Sequence, residues 1–177
     1  LRPLGKSAED YYIKQRDNNE KLEAKKKFYE MKAESDIIQA KEKNNPDDVS
    51  AVNNFNQTFG QYKNQQLSQV KNKRVKRKLE LLLNADQPES VYKIKAASFE
   101  ALEAQNIDMY NTEQNTLSAE YSLSKDPNLK DIAKQKRIES AKEFENMHLM
   151  GKPWLNKEIQ TINTDSAIFD ADVAIAN

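Results

Sequence analysis

Residues 24–38 read AKKKFYEMKAESDII. Ala24, Phe28, Met31, Ser35 and Ile38 recur there at spacings of 4, 3, 4 and 3. That is one face of an α-helix, with lysine and glutamate on the opposite face. The spacing predicts an amphipathic helix over about 7–43. Ser7-Ala8-Glu9-Asp10 opens it as a capping box, with Asp where Glu or Gln is preferred.

Working outward, the same grammar recurs. Asn45-Pro46-Asp47-Asp48 reads as a capping Asn, a Pro at the first helical position and acidic residues at the positive end of the helix dipole. The second helix therefore starts at Pro46, with Val52, Phe55, Phe59, Tyr62 and Gln66 on its apolar face. Gly60 lies inside that pattern and marks a bend or close packing. This helix either continues through Lys71–Lys78 into Leu79–Leu83 or breaks between.

Asp86-Gln87-Pro88-Glu89 repeats the start signal. It opens a third helix to about Leu123, with Phe99, Leu102, Asn106, Met109, Glu113 and Thr116 in one stripe. Asp126-Pro127 opens a fourth helix to Met150, carrying Leu129, Ile132, Ala133, Ala141, Phe144 and Met147. Gly151 ends it and Pro153 starts a fifth, with Leu155, Ile159, Ile162, Ser166, Phe169 and Val173 on one face. Thr164-Asp165-Ser166 is an alternative cap for a sixth helix. No alternation bounded by hairpin turns signals a strand. The expected fold is all-α: five or six amphipathic helices in an elongated irregular bundle or a helical-hairpin solenoid. The expected division is 1–84, the N-terminal long helices, and 85–177, a C-terminal helical-hairpin region.

Composition agrees with this reading. Of 177 residues, 32% are charged and 37% hydrophobic, and mean hydropathy is −0.94. Long helices that each bury one stripe suit such a chain better than a large core. The 3 Gly and 5 Pro leave long stretches free of helix breakers. Charges balance at 28 against 28, which argues against a dedicated nucleic-acid binder. There is no cysteine, hence no disulfide or thiolate metal site. No apolar run approaches a membrane span, and no signal peptide is visible. The chain begins at Leu1 and stops just after Val173-Ala174-Ile175-Ala176, as a cut from a longer chain does.

Few residues suggest chemistry. His148 is the single histidine, at the end of the fourth helix, where the dipole favours it without any catalytic role. A triad or zinc site lacks ligands. Gly5, Gly60 and Gly151 are too dispersed for a phosphate-cradling loop. Carboxylates are spread among lysines, as on a solvated surface, although spacing alone leaves a paired-carboxylate hydrolase open. These signals predict no catalytic residue, no cofactor and no metal.

The most concentrated charge is Lys71, Lys73, Arg74, Lys76, Arg77 and Lys78. Such a run contacts nucleic acid or an anionic surface, or is a solvated helix face paired with acidic neighbours. The second reading fits the neutral total better, leaving at most a weak DNA contact. Trp154 follows Pro153 and is expected to pin the turn between the fourth and fifth helices. Trp154, Leu155, Ile159, Ile162 and Phe169 are the candidate packing anchors.

The second half carries SKDPNLKDIA at 124–133, MGKPWL at 150–155 and DSAIFDA at 165–171. An earlier unit at 28–51 closes on KNNPDDVSA. This layout resembles the helical stretches of large internal virion, or ejection, proteins of short-tailed phages. The resemblance covers about residue 28 to the end and rests on degenerate turn signals that α-solenoids share. It implies a structural segment inside a virion capsid or tail, packing against other protein subunits in a homo- or hetero-oligomer. Some such proteins carry a lytic transglycosylase domain, which nothing here matches. Alternatives are a cytoplasmic helical adaptor or scaffold and a surface helical lipoprotein.

Overall fold

The computed structural model describes residues 4–176, less the side chains of residues 4–6, 173, 175 and 176. It contains α1 (Leu4–Lys41), α2 (Asp48–Gln69), α3 (Lys73–Leu123), α4 (Pro127–His148) and α5 (Lys152–Ala176), with no strand among the described residues. The all-α class holds.

Local chemistry sets the helix ends, and several differ from expectation. Asp47, not Asn45, caps α2: its carboxylate accepts the backbone N–H of Val49 and Ser50, both at 3.1 Å. Asn45 Oδ1 is already occupied, accepting the Asp47 N–H at 3.1 Å in a turn before the helix. Helices α2 and α3 do not merge. Val70 is extended, and Asn72 caps α3 by accepting the Arg74 N–H at 2.9 Å. Asp126 caps α4 through the Asn128 N–H at 2.9 Å, with Pro127 in the first turn as read from the sequence. Helix α4 stops at His148, before Gly151. Leu149 takes the left-handed conformation at φ 51° and Gly151 follows at φ 84°.

Pro88 starts no helix; it lies inside α3. A proline there cannot donate to the carbonyl four residues back, that of Asn84. Both residues are exposed, so water can serve that carbonyl. The polar residues that mimic a cap tie helices together instead. Asp86 accepts Lys32 Nζ of α1 at 2.9 Å, and Gln87 Nε2 donates to Asn56 of α2 at 3.2 Å. Likewise Thr164 and Ser166 open no sixth helix. Their hydroxyls donate to the carbonyls of Gln160 and Ile162, four residues back within α5.

The chain forms two compact units that divide between Glu103 and Ala104, inside α3, rather than near 84/85. In unit one, Lys32–Asp86 and Lys78–Asp17 bridges align α1 with α3, while Lys63–Asn84 and Asn56–Gln87 bonds set α2 antiparallel to α3. Its core joins Met31 and Ile38 of α1, Phe55 and Phe59 of α2, and Leu79, Leu83 and Ile94 of α3. The predicted α1 and α2 faces are both inward. Gly60 marks no close approach, because a Cβ there meets open space and α2 continues through it.

Unit two has the same up-down-up order. Tyr110–Glu158 and Tyr121–Asp170 bonds align α3 with α5, and Gln114–Arg137 ties α3 to α4. The face predicted for α3 is corrected here. Phe99, Leu102 and Met109 are 62%, 41% and 64% exposed, and the buried positions are Ile94, Ser98, Tyr110, Gln114, Leu117 and Tyr121. Ser98 and Gln114 face inward beside Ile94, Tyr110, Leu117 and Tyr121, while Phe99, Leu102 and Met109 face out. Packing geometry thus chose between two stripes on one helix. On α4, Ala133, Ala141 and Phe144 are buried as expected, but Leu129, Ile132 and Met147 are exposed. The side chain of Val173 lies outside the described residues.

Candidate functional site

All of the basic run except Lys71, which precedes the helix, lies in the first turns of α3. Val75 and Leu79 are fully buried and hold the first turns against unit one. Lys71, Lys73, Arg74 and Arg77 are exposed, and Lys76 is half-buried. Among the described residues none of these five makes an ion pair. Lys78 differs, being paired with acidic residues of a neighbouring helix. Its ammonium donates to Asp17 at 2.5 Å and to Glu20 at 3.1 Å, both on α1. The Asp17 hydrogen bond raises the Lys78 pKa above the ordinary lysine value. The positive end of the α3 dipole repels this basic run, and no acidic residue in the first turn offsets it.

The candidate anchors of α5 divide among different neighbours. Ile162 is fully buried with Tyr110, Ala141 and Phe144, and Trp154 and Leu155 pack on that cluster. The Trp154 ring lies 5.6 Å from Phe144 and 5.9 Å from Tyr110. Phe169 packs elsewhere, 6.4 Å from Tyr121, and Ile159 is half-buried. His148 sits in the last turn of α4 with its ring 4.3 Å from Phe144.

Around the aromatic cluster lies a polar network that the sequence reading did not single out. Arg137 is 6% exposed. Its Nε donates to Gln114 Oε1 at 3.0 Å, and Gln114 Nε2 donates back to the Arg137 carbonyl at 2.9 Å. Arg137 Nη2 reaches Asp165 at 3.2 Å. Tyr110 donates its hydroxyl to Glu158 at 2.8 Å. Burial, then the Glu158 carboxylate, pushes that hydroxyl well above the usual tyrosine range. It stays a donor at any ordinary pH.

Within unit two, residues 104–113 of α3 and 140–148 of α4 enclose a groove of about 1010 Å³. Tyr110 and Phe144 stack at 4.5 Å on its floor. Met109 and Met147 flank it. Among the described residues no group of three or more His, Cys, Asp or Glu side chains is placed to hold a metal ion. No described helix is long and apolar enough to cross a membrane.

No family model, curated protein or solved structure matches this chain. Functional argument therefore rests on the surfaces themselves. The one signal that pointed to the groove was spacing: Tyr110, Gln114, Leu117 and Tyr121 stand at 4, 3 and 4, one residue out of step with the apolar Met109 stripe.

Proposed function

We propose that this chain is a structural segment of an internal virion, or ejection, protein of the short-tailed-phage kind. It acts by packing its helices against other virion subunits. The observation that carries this reading is the set of large apolar side chains left uncovered on otherwise well-packed helices. In unit one, Phe99 and Leu102 stand three residues apart on one helix face, both exposed. In unit two, Met109 and Met147 border one groove, both exposed. Grouped apolar exposure of this kind marks an interaction surface, whereas isolated apolar side chains do not. Burial of these groups by neighbouring helices supplies the driving force for assembly.

The test is mass spectrometry of purified virions and of the host-cell fraction. Peptides of this chain are expected in virions, within an intact species well above 20.4 kDa. A species near 20.4 kDa confined to the cell fraction overturns the proposal in favour of a cellular helical adaptor. In virions, Phe99→Glu with Leu102→Glu is expected to lower incorporation of the chain while circular dichroism keeps its helical signal.

A further inference from the structure

The groove of unit two has a chemical character that selects its occupant. Its floor is aromatic: Tyr110 and Phe144 are 8% and 6% exposed. Its walls carry Met109 and Met147, unbranched side chains that adapt to irregular apolar surfaces. Its polar lining holds three carboxylates, Asp108, Glu113 and Glu143, beside His148 and neutral groups such as Gln105 and Asn106, and no lysine or arginine. Glu113 accepts the Ser140 hydroxyl at 2.5 Å. Among the described residues, Asp108 and Glu143 enter no ion pair. Two carboxylates beside an apolar trough are thus left to an incoming cation.

The dimensions fit a helix. From Ala104 to Glu113 the α3 wall runs about two and a half turns, about 14 Å at the helical rise. A guest helix lying along it presents anchors at i, i+3, i+4 and i+7 to the Tyr110–Phe144 floor. Lysine or arginine flanking those anchors meets Asp108 and Glu143, while an acidic guest is repelled. The basic start of α3 in a second copy is not that guest, because it has already buried its apolar residues Val75 and Leu79.

We propose that the α3–α4 groove of unit two is a docking site for a basic amphipathic helix of a partner protein. Apolar anchors enter between Met109 and Met147, and cationic flanks pair with Asp108 and Glu143. This goes beyond the assembly role and holds whether the chain acts in a particle or in a cell.

The chain carries its own reporter, because Trp154 is its single tryptophan and packs on both floor rings. The experiment titrates the 177-residue chain with a synthetic leucine–lysine amphipathic helix and with its leucine–glutamate counterpart. Trp154 emission and calorimetry are followed. The lysine peptide is expected to bind saturably, with a shift in Trp154 emission and a weakening as salt rises. The glutamate peptide is expected not to bind. Met109→Lys with Met147→Lys should weaken binding at least about tenfold, and so should Glu143→Lys, each equivalent to roughly 1.4 kcal/mol or more. Ile168→Lys, an exposed site on α5, should leave binding unchanged. Circular dichroism confirms that each variant keeps its helices. Equal binding of both peptides, binding that ignores the methionine and Glu143 changes, or no binding at all overturns the proposal. So does self-association of the unliganded chain that the same changes abolish, which assigns the groove to a second copy.

Discussion

The two units share one connectivity and differ in what fills them. Unit one buries a long aliphatic and aromatic column: Met31, Ile38, Phe55, Phe59, Leu79, Leu83 and Ile94. Unit two buries fewer large apolar groups, Tyr110, Phe144 and Ile162 among them, beside the bonded network of Gln114, Arg137 and Asp165. Apolar burial is non-directional and tolerates volume-conserving change. A buried polar network is different, because each member left unpaired costs its full desolvation. Unit two fixes one arrangement of three helices, and that arrangement holds the open groove beside it.

The largest expected effect tests the column. Phe55 is fully buried and stacks on Phe59 at 5.5 Å. Phe55→Ala should cost about 3–5 kcal/mol in urea unfolding, with amide exchange of α2 rising most. A cost below about 1 kcal/mol would show that the column is not what holds unit one.

Next comes the network. Arg137→Ala should cost about 2–3 kcal/mol, less than a fully buried pair because Asp165 keeps partial exposure. Gln114→Leu combined with Arg137→Met should recover much of that loss, since both ends of the bond then become apolar. If the double variant stays as far below wild type as Arg137→Ala does, the network contributes net stability and the contrast between the units sharpens.

A smaller effect has the opposite sign. Gly60→Ala should stabilise by about 1 kcal/mol, because α2 is helical there and the added methyl meets open space. Loss of stability in thermal melts would mean that Gly60 has a packing role after all.

The smallest effect is electrostatic and distinguishes the units by residue. Hydrogen bonds from Lys21 and then Lys78 hold the Asp17 carboxyl at about 2, below its ordinary 3.8. The folded pKa is depressed, so this contribution is present above pH 3.8 and is lost as pH falls through about 2. Asp17→Asn should flatten that acid dependence in the amide exchange of α1. In unit two, Asp170 is also lowered, first by Lys130 and then by Tyr121, and its own acid response should persist in the Asp17 variant.

Legibility followed the contrast between apolar and polar burial. The α1 face of Ala24, Met31 and Ile38 and the α2 face of Phe55 and Phe59 were readable because apolar spacing and burial coincide. The α4 cap at Asp126-Pro127 was readable because its partners are two residues away. The groove was not. Its floor depends on Tyr110 and Phe144, which lie far apart in sequence, and on the choice of the Tyr110 face over the Met109 face. Lys78 looked like its neighbours in the basic run until α1 brought Asp17 and Glu20 beside it.

By itself, then, the sequence determined the helical class, the turns near 42–47, 124–126 and 149–151, and the inward faces of α1 and α2. Periodicity and capping are local, and each is complete within a few residues. Only the tertiary structure decided that α3 runs unbroken through Pro88, that its polar-looking stripe faces inward, and that Arg137 is buried. Those outcomes depend on partners supplied by other helices, and a stripe of serine, glutamine and tyrosine becomes a core face only when its hydrogen bonds are met there.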